Sequence, residues 1–261
     1  MTAPPDERSD RTMSAQPERT CCPVVELRQY TVHPGKRDIL IDLFDRELIE
    51  SQEAAGMRVI GQFRDLDDPN RFVWLRSFRD MPSRRDALKE FYGGPVWAAH
   101  RDAANATMIA WDDVLLLRPA RPTSGFSLRD SGRPPPGTTE ASQGRVVATI
   151  YPLDAPADGD FVAFFEHTVM PAVTDAGASI VAYLVTESSP NTYPALPVRE
   201  GEQVFVWFAR FSDASAYERH VAALARSRDW SGEISEALAR RLSGRPQVLK
   251  LSPSPRSQLH G

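Results

Sequence analysis

The sequence predicts an α+β fold in which two β-α-β-β-α-β units form one barrel with the helices outside. Three observations support this prediction. Apolar and aromatic positions recur at fixed spacings, both halves show the same order of strand-like and helix-like runs, and the third strand of each half is apolar on both faces. Such internal repetition reveals architecture that single motifs miss.

The first strand and the first helix of each half match at an offset of 121 residues. The strand-like run 24–30 has a counterpart in 146–151, which aligns Tyr30 with Tyr151. The helix that follows keeps the i, i+3, i+4 spacing of one apolar stripe. Its apolar residues are Leu40, Leu43, Phe44 and Leu48 in the first half, and Phe161, Phe164, Phe165 and Val169 in the second.

The offset of 121 residues holds as far as Gly56 and Gly177 and then grows to 133. These glycines follow the two helices, at a position where a left-handed backbone favours glycine. The second half then carries an insertion at residues 188–200, and the offset of 133 persists to Trp97 and Trp230. The third strands match at this new offset through Phe72, Trp74 and Phe78 in the first half and Phe205, Trp207 and Phe211 in the second.

Each half therefore has the element order of a ferredoxin-like unit, in which two helices cover one face of a four-stranded antiparallel sheet. The final strands are predicted at 114–117 and 248–251. The middle strands of the two halves are predicted at 57–64, 71–79, 178–187 and 202–211.

The third strand indicates how the two sheets meet. Phe72, Trp74 and Phe78 alternate with Val73 and Leu75, so neither face of this strand is polar. A sheet with helices on one face and water on the other should instead show polar residues at alternate positions. The second face is therefore expected to be covered by the other half of the chain, which gives a closed or nearly closed, pseudo-dimeric α+β barrel.

The same pattern sets the predicted domain boundaries. Residues 1–22 form a disordered tail, 23–119 the first repeat, 120–144 a linker rich in proline and glycine, 145–253 the diverged second repeat, and 254–261 a C-terminal tail. The linker contains three consecutive prolines, which is typical of an extended connection between domains.

Composition excludes several classes of protein. A formal charge of −4 gives no overall electrostatic drive toward nucleic acid or anionic membranes. No run approaches the roughly 20 apolar residues of a membrane span, and the N-terminus has no apolar core of a secretion signal. The two cysteines, Cys21 and Cys22, are adjacent and cannot build a disulfide framework. A cytoplasmic protein is expected.

The first half resembles a known family. The resemblance covers residues 24–118 and is carried by the segments Glu26-Leu27-Arg28-Gln29-Tyr30, Pro34-Gly35-Lys36 and Gly61-Gln62-Phe63, with Asn70, Trp74, Arg84, Arg85 and Trp97. These residues are similar to the NIPSNAP family. The second half keeps the aromatic framework but lacks the Pro-Gly-Lys segment, so it resembles a diverged NIPSNAP-like copy.

This resemblance implies a dimeric α+β barrel but no common catalytic motif. Its superfamily also includes cofactor-free monooxygenases, muconolactone isomerases and haem-dependent enzymes, and eukaryotic NIPSNAP proteins are associated with vesicle traffic, mitochondria and haem binding. A fold of this kind supports many activities, so function has to be argued from the residues of a site.

The compact signatures of nucleotide, phosphate and zinc sites are absent from the sequence. We therefore expect a site assembled from distant residues in the barrel interior, because ligand sites are concave, mostly apolar and furnished with a few polar groups. Residues present in one half only are the better candidates, since the shared fold does not require them.

Two histidines of the second half meet that condition. His167 aligns with Arg46 and His220 with Ala87. Either histidine is a candidate for proton transfer or for ligation of haem. The alternative for each is an ordinary helix histidine with no role in chemistry.

The other candidates are residues that could line a ligand pocket. In the insertion, Tyr193 and Arg199 supply hydrogen-bonding groups beside three prolines, which suits a binding loop. Arg76 and Arg210 interrupt apolar strands and are expected to face opposite sides, so at most one enters the barrel. The aromatic candidates, which could equally be core residues, are Tyr30, Trp74 and Trp207.

Three functions are compatible with these observations, and the sequence leaves open whether the protein is an enzyme. The leading hypothesis is a protein that binds a small aromatic or hydrophobic molecule in the barrel, with a cofactor-independent oxygenase or isomerase as its enzymatic form. The alternatives are a haem-binding protein and a non-catalytic interaction module. No metal site is predicted. The chain is expected to be a monomer through its internal pseudo-dimer, or a homodimer.

Overall fold

The structure is a computed structural model that describes residues 23–128, 133–140 and 142–260. The predicted tail of residues 1–22, with Cys21 and Cys22, lies outside the described residues. We refer to residues 24–119 as the first half and to residues 145–253 as the second half.

The first half alternates strands with broken helices. Asp80 caps the third helix, because its side chain accepts a hydrogen bond from the backbone N–H of Ser83 at 2.7 Å. The elements are β1 (Val24–Val32), α1 (Arg37–Leu43), a π-helical turn (Phe44–Leu48), α2 (Ile49–Ala54), β2 (Arg58–Asp65), β3 (Arg71–Phe78), α3 (Met81–Gly93), α4 (Pro95–Asn105) and β4 (Met108–Pro119).

The second half has the same order of strands and α-helices, with one further π-helical turn before its last helix. Asp213 caps its third helix in the same way, accepting from the backbone N–H of Ala216 at 2.7 Å. The elements are β5 (Arg145–Leu153), α5 (Gly159–Phe164), a π-helical turn (Phe165–Val169), α6 (Met170–Asp175), β6 (Ser179–Thr186), β7 (Gln203–Phe211), α7 (Ala214–Arg226), a π-helical turn (Trp230–Ile234), α8 (Ser235–Ala239) and β8 (Gln247–Pro253).

The eight strands form one closed antiparallel barrel in the order β1-β3-β2-β8-β5-β7-β6-β4. The halves join at two seams, where β2 pairs with β8 and β4 pairs with β6. The predicted closed barrel with helices outside is therefore confirmed. No helix among the described residues is long and apolar enough to cross a membrane.

The barrel interior is a packed core, which corrects the prediction of a ligand pocket inside it. Inward-facing side chains from both halves, such as Phe63, Leu75 and Phe208, are fully buried and in mutual contact. Phe126 and Leu259, from the segments after β4 and β8, add to the same cluster. An eight-stranded barrel is just wide enough for side chains to fill it or for one small ligand, and here inward-facing side chains occupy the interior.

The segments predicted as linker and tail also make buried contacts. Phe126 packs against Phe208 with ring centroids 5.0 Å apart. Beyond β8, Arg256 is buried and pairs with Glu50 of the first half. These contacts tie the chain after each half to the barrel.

Candidate functional site

Two cavities lie between the barrel wall and the helices, one in each half. They occupy corresponding places, because β1 pairs with β3 in the same register as β5 pairs with β7. Tyr30 and Trp74 line the first cavity, and Tyr151 and Trp207 line the second. Three further wall positions correspond at the offsets found in the sequence: Gln52 with Val173, Phe91 with Leu224, and Trp97 with Trp230.

The first half carries a buried charged cluster beside its cavity. Glu26 binds three arginines: Arg28 Nη1 and Arg76 Nε donate to Oε2, each at 2.7 Å, and Arg84 Nε donates to Oε1 at 2.6 Å. All four side chains are fully buried. We call these four residues the arginine cluster.

The arginine cluster has a net charge of +2. Burial opposes ionisation of Glu26, but the charges of the three arginines outweigh it and hold the pKa of that carboxyl well below its usual value. Within the described chain, every other group bonded to the cluster is uncharged. These groups are the side chains of Tyr30, Gln52, Met57, Asn191 and Thr192 and the backbone carbonyl of Trp111.

The second half has no counterpart of the arginine cluster at the corresponding positions, all of which lie among the described residues. The strand registers align Glu26 with Val147, Arg28 with Thr149 and Arg76 with Ala209. The offset of 133 residues aligns Arg84 with Tyr217. The four replacements, Val147, Thr149, Ala209 and Tyr217, all line the second cavity, whose volume is about 230 Å³ against about 70 Å³ for the first. The cavity that has shorter or uncharged side chains at these positions is thus the larger of the two.

His220 is a buried histidine in the wall of the second cavity. Its Nδ1 lies 3.2 Å from the backbone carbonyl oxygen of Ala176. A carbonyl only accepts, so Nδ1 carries the proton and Nε2 is left as an acceptor with no hydrogen-bond partner among the described residues. Burial lowers the pKa of His220. The ring is therefore neutral at neutral pH and able to take up a proton.

The remaining wall groups of the second cavity are uncharged as well. Burial raises the pKa of Tyr151 to about 12 and also raises the pKa of Tyr217. The indole N–H of Trp207 is buried and makes no hydrogen bond of ordinary geometry within the described residues. The second cavity thus combines apolar walls with a neutral base and a few hydrogen-bond donors.

The insertion of the second half packs on the first half, where it contributes to the wall of the first cavity. Arg84 Nη1 donates to Asn191 Oδ1 at 2.9 Å and to Thr192 Oγ1 at 3.2 Å. Tyr193 stacks on Tyr92 with ring centroids 6.2 Å apart, and Leu196 is part of the cavity wall. The predicted binding loop therefore belongs to the second half of the sequence but lies over the first half of the structure.

Three predicted site residues lie away from both cavities. His167 is exposed on the π-helical turn of the second half. Arg199 is engaged in ion pairs with Asp113, at 3.1 Å, and with Glu202. Arg210 is exposed at the end of β7, whereas Arg76 faces the helices, so neither arginine enters the barrel interior.

The surroundings of the two histidines do not fit haem. His167 is exposed and lines neither cavity. His220 lines a cavity of about 230 Å³, below the range of roughly 300–1,000 Å³ typical of drug-sized ligands, and haem is larger than most of these. Among the described residues, the wall of that cavity also lacks an arginine or lysine for the haem propionates.

Sequence reasoning missed Glu26, Arg28 and Arg84 as site residues. A signal was present, because residues two apart in a strand share one face. That spacing places Glu26, Arg28 and Tyr30 together on the helix-facing side of β1. The contribution of Arg84 from α3 could not be read from the strand pattern.

Known proteins resemble this chain in part. Residues 25–122 match the NIPSNAP family model. No curated protein matches the chain in sequence. The three solved structures described next share 8% or 14% identity with the chain, so their similarity shows the fold alone.

All three structures cover most of the chain. An anthrone oxidase-like protein has a TM-score of 0.55 at 14% identity and covers 91% of this chain and 95% of its own. A protein provisionally named a monooxygenase, from Lactobacillus acidophilus, has a TM-score of 0.53 at 14% identity with coverages of 89% and 94%. Another provisionally named monooxygenase, from Fusobacterium nucleatum, has a TM-score of 0.52 at 8% identity with coverages of 92% and 97%. Residues 25–122 are thus similar to the NIPSNAP family, and they lie in the first half of a closed α+β barrel whose fold is also found in these structures.

Proposed function

We propose that the protein binds a small, uncharged aromatic molecule in the second cavity and that His220 accepts a proton from it. One observation carries the proposal: neutral side chains replace all four members of the arginine cluster around a cavity of about 230 Å³ that contains a buried, neutral histidine. This arrangement departs from the first half just where the two cavities correspond.

The walls favour a ligand without charge. Aromatic rings of Tyr151, Trp207 and Trp230 surround the space, and within the described residues none of the lining side chains is charged at neutral pH. Burying an unpaired ion in such surroundings is strongly unfavourable. Val221 and Val248, which are 45% and 43% exposed, also line the cavity and mark its opening to solvent.

The proposed chemistry begins with transfer of an acidic C–H or O–H proton from the ligand to Nε2 of His220. The ligand is left as an electron-rich anion and the histidine as an imidazolium. An isomerase would return this proton to a different carbon. In an oxygenase the anion would react with O₂, so that a ring CH₂ and O₂ become a ring carbonyl and water. The oxidase-like and monooxygenase names of structures with this fold support the second outcome.

Binding can be tested by calorimetric titration with 1-naphthol, an uncharged aromatic probe at pH 7. We expect one site per chain. Val221→Trp narrows the opening of the second cavity and should weaken binding at least tenfold. Ile39→Trp is the matched control, because Ile39 is 51% exposed on α1 and lines neither cavity. Equal affinity in the two variants would place the ligand elsewhere.

Catalysis can be tested separately with anthrone in an oxygen electrode. The proposal predicts consumption of one O₂ per anthraquinone formed, and a loss of turnover in His220→Gln that leaves 1-naphthol affinity within about threefold. A rate in His220→Gln equal to that of the wild type would exclude His220 as the base. Binding of anthrone without any turnover would exclude anthrones as substrates.

We also infer that the two halves are copies of one ferredoxin-like unit. The same element order, the π-helical turns at Phe44–Leu48 and Phe165–Val169, and the matching strand registers support this inference. The first half expressed alone should then form a homodimeric barrel, because its sheet needs a second sheet to cover its apolar face. A stable monomer in analytical ultracentrifugation would argue against it.

A further inference from the structure

We infer that the first half contains a separate binding site for a small organic carboxylate at the arginine cluster. This site differs in place and in chemistry from the one proposed in the second cavity. Three properties of the cluster support the inference: its uncompensated charge, its unused hydrogen-bond donors and the apolar cavity beside it.

Among the described residues, the charge of the cluster lacks a counterpart. Three guanidinium groups share the single carboxylate of Glu26, and all four side chains are fully buried. Buried charges are normally paired, because taking an unpaired ion out of water is costly. One or two negative charges from a ligand would bring the cluster close to neutrality.

The unused polar atoms around the cluster are all donors. Nη2 of Arg76, Nη2 of Arg84 and Nε1 of Trp74 are buried and have no hydrogen-bond partner within the described part of the chain. Trp74 lies between two arginines, with its ring centroid 5.5 Å from Cζ of Arg28 and 5.0 Å from Cζ of Arg76. Guanidinium and indole groups can only donate. They therefore require a ligand that accepts, and a carboxylate accepts from arginine with high strength.

The first cavity favours an organic anion over an inorganic one. Its walls include the rings of Phe91 and Trp97, and its volume of about 70 Å³ suits only a compact apolar group. Tyr30 connects the cavity to the cluster, because it lines the wall and its hydroxyl accepts from Arg28 Nε at 2.9 Å. Its own hydroxyl proton is available to a ligand, since burial raises the pKa of Tyr30.

The insertion is placed to control access to this site. Asn191 and Thr192 bind Arg84, and Tyr193 covers Tyr92. The same loop is anchored at its far end by the backbone N–H of Arg199, which donates to the carbonyl of Val114 at 2.9 Å. A ligand would enter by displacing the contacts at the near end while this anchor holds.

The test is calorimetric titration of the full chain with benzoate, with benzamide as its uncharged analogue and inorganic phosphate as the alternative anion. We expect benzoate to bind once per chain and at least tenfold more tightly than benzamide or phosphate. Comparable binding of benzamide would overturn the requirement for charge. Tighter binding of phosphate would overturn the assignment to a carboxylate.

Two variants locate the site. Arg84→Gln should weaken benzoate binding at least tenfold, whereas Arg79→Gln should leave it within twofold, because Arg79 is 84% exposed just after β3. Equal affinities in the two variants would overturn the location. A measurement that needs no variant is the thermal unfolding of the wild type, whose midpoint benzoate should raise and benzamide should not. Saturating 1-naphthol should leave benzoate affinity unchanged, which separates this site from the second cavity.

Discussion

Replacing Glu26 with glutamine tests whether the ion pairs of the arginine cluster are as strong, and as fully shielded from water, as their geometry indicates. The substitution keeps the shape of the side chain but removes its charge and turns one acceptor oxygen into a donor. Three arginines contact this carboxylate at 2.6–2.7 Å. Removing one partner of a buried ion pair costs about 3–5 kcal/mol. Because one carboxylate serves three arginines and glutamine retains one acceptor, we expect a loss of about 5 kcal/mol.

The assay is urea unfolding at pH 7, followed by far-UV circular dichroism. Glu166→Gln is the matched control, since Glu166 pairs with Arg121 at 3.1 Å but the two side chains are 18% and 41% exposed. Pairs near the surface contribute about 1 kcal/mol or less. A loss below about 2 kcal/mol in Glu26→Gln, or a loss no larger than that of Glu166→Gln, would refute the reasoning.

Three further predictions concern the rest of the molecule. Burial raises the pKa of Asp45 from 3.8 to about 6. The contribution of this shift to the free energy of unfolding is fully present below pH 3.8 and is lost as the pH rises through 6. At about 1.36 kcal/mol per pKa unit, Asp45→Asn should exceed the wild type in free energy of unfolding by roughly 3 kcal/mol at pH 8, and an equal or lower value would contradict the burial argument. Burial lowers the pKa of His220, so the wild type should lose stability as the pH falls below about 6.5, and the loss between pH 7 and 5 should be smaller in His220→Gln. In the filled barrel, Gly61→Ala would bring a Cβ within 2.4 Å of Phe63 Cζ and 2.7 Å of Ser257 Oγ. The free energy of unfolding in urea should therefore fall by about 1–3 kcal/mol, whereas an unchanged midpoint would indicate a loosely packed interior.

The closed barrel could be predicted because one strand carried the decisive pattern. Val73 and Leu75 face the barrel interior, while Phe72, Trp74 and Phe78 face the helices. Alternation of this kind is a local property of a strand, so it is visible in sequence. Whether the enclosed space is empty is a global property, which depends on how side chains from eight strands and two connecting segments fit together.

The site was predicted only in part for the same reason. Tyr30 and Trp74 line the first cavity, while Trp207 and His220 line the second. The comparison of the two halves drew attention to His220 but not to the opposite difference, the uncharged residues that the second half has at the positions of the arginine cluster. Glu26 pairs across the strands with Arg76, and that partnership depends on a register that spacing alone does not set.

The insertion illustrates what sequence cannot supply. Its composition suggested a binding loop, but residues 188–200 pack on helices encoded about 100 residues earlier, where Thr192 contacts Arg84. Docking of a loop on a distant surface leaves no periodic pattern in the chain. The seams between the halves make this contact feasible, since β4 pairs with β6 immediately before the insertion.

The proposed function requires that the second cavity binds a ligand and that His220 accepts its proton. The most direct test is ¹⁵N NMR of the histidine side chains during titration with 1-naphthol at pH 7. Before ligand is added, His220 should show a protonated Nδ1 and an unprotonated Nε2, in keeping with the contact to Ala176. On titration the Nε2 resonance should shift and saturate at one equivalent, while the exposed His167 stays unchanged. A His220 that is already an imidazolium, or an Nε2 resonance that does not respond to saturating ligand, would contradict the proposed function.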